Sequence, residues 1–210
     1  MRDGRKPVSR AESQQRTREE VLDAAEELFL EHGLHGTTVA KIAAAAGRTQ
    51  GAIYSNFASK ENLCAEVLLR CAMRIFAGLV ATMAESSGRL DEKLDLIAEG
   101  WKQLAADQSL VALAAEYALA IRKDPDQLAI SHGHIDMGRS MIGIALAGAL
   151  PFQVPDERRD EAVHAIIATG LGLALGHTLG VVDEEQSAAM LMRTVRMWVA
   201  DLELDTDSGD

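Results

Sequence analysis

Aromatic residues are scarce in this chain: four Phe, two Tyr and two Trp among 210 residues. Those that join an apolar body to a polar tip are therefore worth locating, because they anchor cores and line pockets. Proline is equally rare, with four, and the nearly unbroken helical patterning between the prolines points to an all-α chain. There are only two cysteines, Cys64 and Cys71. Seven apart on one helix, they share a face but lie about 10 Å apart along the axis, too far for a disulfide. They read as small buried residues in a reducing compartment. The chain has no P-loop, no dinucleotide glycine fingerprint, no G-x-S-x-G and no zinc-type cysteine pair, which argues against the common enzyme classes, and no cofactor is expected. Its first eighteen residues contain no apolar run, so no signal peptide is read there and a cytoplasmic location is expected. No internal repeat is evident.

Charge is present but unevenly placed. The formal net charge is −11. Residues 1–60 hold nine Lys/Arg and eight Asp/Glu, and residues 61–210 hold twelve and twenty-four, so a near-neutral head at +1 precedes an acidic body at −12. That segregation lets the head approach a polyanion while the body is kept off it. The first sixteen residues, with Arg2, Arg5, Lys6, Arg10 and Arg16, are expected to form a flexible basic arm, either solvated or settling against phosphates. Thr17 and Glu20 have capping-box spacing for a first helix striped by Val21, Leu22, Ala25, Leu28 and Phe29.

Residues 37–63 read T-T-V-A-K-I-A-A-A-A-G-R-T-Q-G-A-I-Y-S-N-F-A-S-K-E-N-L. Thr38 is placed to cap a short helix whose Val39, Ile42, Ala43 and Ala46 face a core. Gly47 supplies the permissive backbone that ends it. Thr49 caps a second helix, Gln50 to about Phe57, anchored inward by Ile53 and Phe57. Its opposite face is Gln50, Gly51, Tyr54 and Ser55. Two short helices joined by a glycine turn form a helix-turn-helix, a unit that reads DNA in the major groove. Gly51 costs about 1 kcal/mol against alanine in a helix interior, and close approach to a phosphate backbone would compensate.

These residues resemble the DNA-binding head of the TetR family of transcriptional regulators. The matching pieces are F-L-E-H-G-L-H-G-T-T, the I-A-x-x-A-G turn, G-x-I-Y-x-x-F and S-K-E-x-L, together spanning about residues 17–68. The resemblance implies an all-helical homodimer that represses transcription until a small molecule binds its body. It also implies phosphate contacts from Thr49, Tyr54 and Lys60, with Gln50, Ser55 and Asn56 reading bases; Thr38 and Gly51 complete the expected surface. Arg48 stands where the family usually has an apolar residue, and a phosphate contact is expected of it. Ser55 and Asn56 stand where bulkier residues are common, so no base code carries across.

The expected organisation is an arm over 1–16, a helix-turn-helix head over 17–60, a ligand-binding and dimerisation body over 61–204 and an acidic tail over 205–210. Body helices are expected near 60–84, 90–107, 109–122, 125–150, 156–180 and 184–204. Apolar stripes there nominate Phe76, Met83, Trp101, Leu104, Leu113, Tyr117, Met137 and Met141 as ligand-contacting residues, together with Glu116, the lone charge from Val111 to Ile121. Residues 162–182 are nearly long enough to span a bilayer, but charged residues flank them. Ala168, Gly172, Gly176 and Gly180 recur every four residues and form a flat stripe suited to close helix approach. With Leu191, Val195, Trp198 and Leu202 on the next helix they are expected to form a four-helix dimer interface.

The sequence reading thus favours a repressor that binds double-stranded operator DNA, with an inverted repeat as its site and a small molecule as its effector. An activator of the same family is the alternative. A helical metalloenzyme using His132 and His134 is a more distant one, since joint ligation by residues two apart needs a non-helical backbone.

Overall fold

A computed structural model describes residues 10–85, 88–150 and 152–207. Among them are nine helices and no strand. They are α1 (Arg10–Gly36), α2 (Val39–Ala45), α3 (Gln50–Tyr54), α4 (Lys60–Glu85), α5 (Leu90–Ala106), α6 (Gln108–Ile121), α7 (Pro125–Ala149), α8 (Asp156–Thr178) and α9 (Glu184–Asp207). No single helix among the described residues is long and apolar enough to cross a membrane.

Local chemistry explains most of the boundaries. The Thr38, Thr49 and Ser59 hydroxyls accept from the backbone N–H of Lys41, Ala52 and Asn62, satisfying donors that a helix start leaves orphaned. The Asp124 carboxylate does the same for Asp126 and Gln127, and Pro125 follows in the first turn, where its missing N–H costs nothing. Gly47 turns the chain at φ 61°.

The start of α1 corrects the sequence reading. The helix is already formed at Arg10, so Thr17 lies inside it and donates its hydroxyl to the Ser13 carbonyl at 3.0 Å instead of capping. Residues 10–16 of the expected arm are therefore helical; residues 1–9 lie outside the described residues. At the other end α9 runs through Asp207, into the segment expected to be tail.

Two apolar clusters hold the helices together. In the first, Val21, Ala25 and Phe29 of α1, Ile42 of α2, Ile53 of α3 and Phe57 pack with Leu63, Val67 and Cys71 of α4 and with Leu113, Tyr117 and Ile121 of α6. Phe29 and Phe57 are 0% and 1% exposed, and each such burial stabilises by about 1.5–3 kcal/mol. This core crosses residue 60, so α4 and α6 are packed directly against α1 of the head. In the second cluster, Leu94 of α5, Ala162 of α8 and Met192, Val195, Val199 and Leu202 of α9 close the far end of the body.

Both cysteines are free and buried in the first cluster. Burial away from water, reinforced by the nearby acids Glu61 and Glu116, pushes the Cys64 thiol up to about 12 from an ordinary value near 9.0. Burial raises Cys71 as well. Because the folded value lies above the unfolded one, the stability that the neutral Cys64 thiol confers is complete below pH 9.0 and is lost as pH rises toward 12. At pH 8 the native protein is expected to leave Ellman's reagent unreacted, with both thiols titrating only in denaturant. Fast stoichiometric labelling of folded protein would contradict this burial.

Candidate nucleic-acid interface

The α2–Gly47–α3 unit projects one face outward and buries the other. Ile42 and Ile53 are 0% and 2% exposed, whereas Tyr54 is 55% exposed despite its large ring. Gln50 and Gly51 are exposed beside it. A Cβ built on Gly51 would meet only the Thr49 hydroxyl, at 3.8 Å, so no neighbour within the chain requires glycine there. Thr38 and Thr49 sit at the N-termini of the two short helices, and both are exposed.

The other expected contact residues are engaged within the protein. Arg48 is half-buried and paired with Glu20 of α1, its Nε donating at 2.8 Å, so its guanidinium fastens α1 to the turn. The Lys60 ammonium donates to the Leu34 carbonyl at 2.8 Å and the Thr37 carbonyl at 3.2 Å. Ser55 Oγ and Asn56 Nδ2 both donate to the Ala52 carbonyl at 2.8 Å, which turns their donors back onto their own helix. The nine nominated residues thus divide into an outward group, Thr38, Thr49, Gln50, Gly51 and Tyr54, and an inward-bonded group, Arg48, Ser55, Asn56 and Lys60.

One junction in this region was not anticipated. Gly33 adopts φ 72° near the end of α1, and Glu116 of α6 reaches the turn it makes. The Glu116 carboxylate accepts from the N–H of Leu34 at 2.8 Å and of His35 at 3.3 Å. Glu116 therefore does not face a cavity; it fastens the body to the base of the helix-turn-helix. A Cβ on Gly33 would stand 2.6 Å from the carboxylate, so glycine is required both sterically and by the left-handed backbone. The only sequence hint was a charge isolated in an apolar helix.

The body departs from the expected pocket. Leu113 and Tyr117 belong to the core shared with the head. Trp101 donates its indole N–H to Ser187 at 2.9 Å and lies against Gly170 of α8, so its polar tip is already satisfied. Leu104 is half-buried and Met137 is 46% exposed; the Met83 side chain lies outside the described residues. A groove opens elsewhere, between α4 and α7 beside the start of α5, and of the nominated residues Phe76 and Met141 line it. His132 and His134 lie within α7, where residues two apart diverge by about 200°.

The α9 part of the expected dimer face is also corrected. Leu191, Val195 and Leu202 are 4%, 5% and 1% exposed, and Trp198 is half-buried beneath the Arg158 guanidinium at 5.9 Å; these residues pack within the subunit. The outward apolar residues of α9 are Met190, Met197 and Leu204, and on α8 Leu171, Leu175 and Leu179 are likewise exposed. Ala168, Gly172 and Gly180 are exposed with them, whereas Gly176 is half-buried near Val182.

An all-helical body joined through a continuous core to an outward-facing helix-turn-helix defines a regulator-type architecture. Residues 21–67, the head and the start of α4, match the model of the bacterial regulatory proteins, tetR family. A similar curated protein, the HTH-type transcriptional repressor KstR2 of Rhodococcus jostii, is 36% identical over 99 residues, covering 46% of this chain and 47% of that protein. The chain thus aligns with about half the length of that relative. Among solved structures, a TetR-family transcriptional regulator from Streptomyces coelicolor is similar at a TM-score of 0.61 and 21% identity, covering 90% of this chain and 97% of that one. The regulator FadR of Bacillus subtilis, solved in complex with stearoyl-CoA, also gives 0.61, at 19% identity, covering 86% and 97%. At such identities these structures establish the fold.

Replacing Gly33 with alanine forces a left-handed backbone, costing about 1–2 kcal/mol, and also displaces Glu116. Glu116→Ala removes a charged acceptor from two N–H groups, at about 1–3 kcal/mol. Both variants are expected to lower the urea midpoint, and combining them should cost less than the sum of the two because both break one junction. Full additivity would show that the two residues act separately.

Proposed function

We propose that the protein is a sequence-specific DNA-binding transcriptional repressor that works as a homodimer and leaves its operator when a small molecule occupies the body. The observation that carries this reading is the outward face of α3, where Tyr54 stands 55% exposed beside Gln50 and Gly51 while Ile53 anchors the helix from behind. A five-residue helix capped by Thr49 can enter a major groove about 12 Å wide. Gly51 permits close backbone approach, Tyr54 and the two cap threonines are suited to phosphate, and Gln50 carries the amide that pairs with adenine. The naming of a similar curated protein as a repressor supports the sign of regulation. On this reading, residues 17–60 form the reading head and 61–204 the sensing and dimerising body.

Dimerisation is supported by the apolar outer face of α8 and α9. Leu171, Leu175, Leu179, Met190, Met197 and Leu204 are between 44% and 69% exposed, a concentration of large apolar residues that marks an interaction surface. The exposed Ala168 and Gly172 allow a second copy's helices to come close. An isologous contact there sets the spacing of two heads and so calls for an inverted-repeat site.

Selection of bound DNA from a random pool is expected to return an inverted repeat; recovery of no preferred sequence would remove the reading. Tyr54→Ala should weaken binding to every sequence, whereas Gln50→Ala should relax preference at particular base pairs. A uniform loss for Gln50→Ala would take base reading away from that residue. Leu175→Glu should lower dimer content and operator affinity together, as measured by sedimentation and gel shift. A fully dimeric Leu175→Glu protein would place the subunit contact on another face.

A further inference from the structure

The groove between α4 and α7 has a volume of about 410 Å³, within the range of small-molecule sites. Phe76 and Val80 of α4 and Met141, Ile144 and Gly148 of α7 contribute to its apolar lining. Lys93, near the start of α5, is the one ionisable residue lining it. That lysine is half-buried, and among the described residues its ammonium has neither an ion pair nor a hydrogen bond. Other half-buried cations of the body are paired: Lys102 meets Glu185 at 2.8 Å, Arg139 meets Asp136 at 2.9 Å and Arg159 meets Asp156 at 2.9 Å, while Arg89, Lys123 and Arg193, which lack an ion pair among the described residues, are exposed. In a segment with twice as many acids as bases, a cation left unpaired against an apolar wall is a local exception.

We propose that this groove binds a single-chain amphiphile with an anionic head, in its simplest form a fatty carboxylate. Its tail would lie along Phe76, Val80 and Ile144, and its head would meet Lys93. The inference rests on the reading that the body accepts a small effector, and it adds the chemical class. Val80 and Ile144 are 42% and 75% exposed, so an apolar tail removes hydrophobic surface from water. The anion supplies the partner that the Lys93 ammonium otherwise lacks. Met141 can adapt to tails of different shape. Occupancy also reaches the head, because Phe76 and Val80 share α4 with Leu63 and Val67 of the head core. A ligand that favours one setting of α4 thereby biases the other end.

The test is calorimetric titration of the full chain with dodecanoate and, separately, with dodecan-1-ol, both below their aggregation limits. Lys93→Met removes the charge while keeping an aliphatic stem. Gly148→Leu fills the groove, and a Cβ there meets nothing within 4 Å, so the fold should tolerate it. Dodecanoate is expected to bind one per subunit. Lys93→Met should weaken dodecanoate at least tenfold and leave dodecan-1-ol within twofold, whereas Gly148→Leu should weaken both at least tenfold without changing the sedimentation coefficient or lowering the thermal midpoint. Three results would overturn the proposal: no dodecanoate binding by the unaltered protein, equal loss of both probes in Lys93→Met, or undiminished binding in Gly148→Leu. A Gly148→Leu protein with an altered oligomeric state would also overturn it, by assigning the groove to a second copy of the chain. Operator binding without probe separates the two levels. Intact DNA recognition with no dodecanoate uptake defeats only the ligand class, whereas absence of sequence-selective DNA binding defeats the regulator reading and leaves the titration to stand alone.

Discussion

The orientation of α3 depends on how a five-residue stretch at the kinked end of α1 is held between two charges. Residues 33–37 carry the kink at Gly33, the short last turn of α1 beyond it and the first step toward α2, and their backbone groups are met from both sides. Glu116 accepts from the N–H groups of Leu34 and His35, while Lys60 donates to the carbonyls of Leu34 and Thr37. Leu34 and Thr37 are themselves 0% exposed, and the Thr37 hydroxyl bonds the Leu28 carbonyl. A buried irregular segment is stable only when its polar backbone is satisfied, and charged partners do this with stronger hydrogen bonds than neutral ones. Since α2 begins two residues beyond this stretch, the direction of α2, and through Gly47 of α3, follows from this clamp. The carboxylate comes from α6 and the ammonium from α4, so both body helices that reach the head hold the same stretch.

Cations that a sequence would assign to DNA are here spent on internal order. Arg48 and Lys60 are bonded within the head, and Arg18 lies over the Phe57 ring at 4.6 Å while pairing with Glu66 at 3.0 Å. Each joins separate helices, so the head keeps its shape without DNA. Tyr54, Gln50, Gly51 and the two cap threonines are exposed on its outer surface, together with Ser55 and Lys41. The near-neutral charge of residues 1–60 is consistent with that division, because much of the positive charge has an acid beside it.

The body separates its tasks by face. The inner sides of α5, α8 and α9 form a tight apolar cluster, while the outer sides of α8 and α9 keep large apolar residues in water. The groove lies on neither; it opens where α4 leaves the head and passes α7. A helix that is core at one end and groove wall at the other is a direct mechanical connection between the two regions.

Contacts close along the chain were legible in the sequence. The caps Thr38 and Thr49 bond backbone groups three residues ahead, and Gly47 needs only its own φ, so the helix-turn-helix could be read without a fold. The capping-box pattern at Thr17 failed because α1 starts earlier, leaving the same side chain in a helix interior. Tertiary packing alone decided the rest. On α9 both Leu191–Val195–Leu202 and Met190–Met197–Leu204 are apolar at helical spacing, and only the docking of α5 and α8 determined that the first set faces inward. Glu116 meets Leu34 across 82 positions and Arg48 meets Glu20 across 28. Whether a charge faces solvent, ligand or a distant backbone depends on which helices come to rest beside it, and periodicity along one helix carries no record of its neighbours.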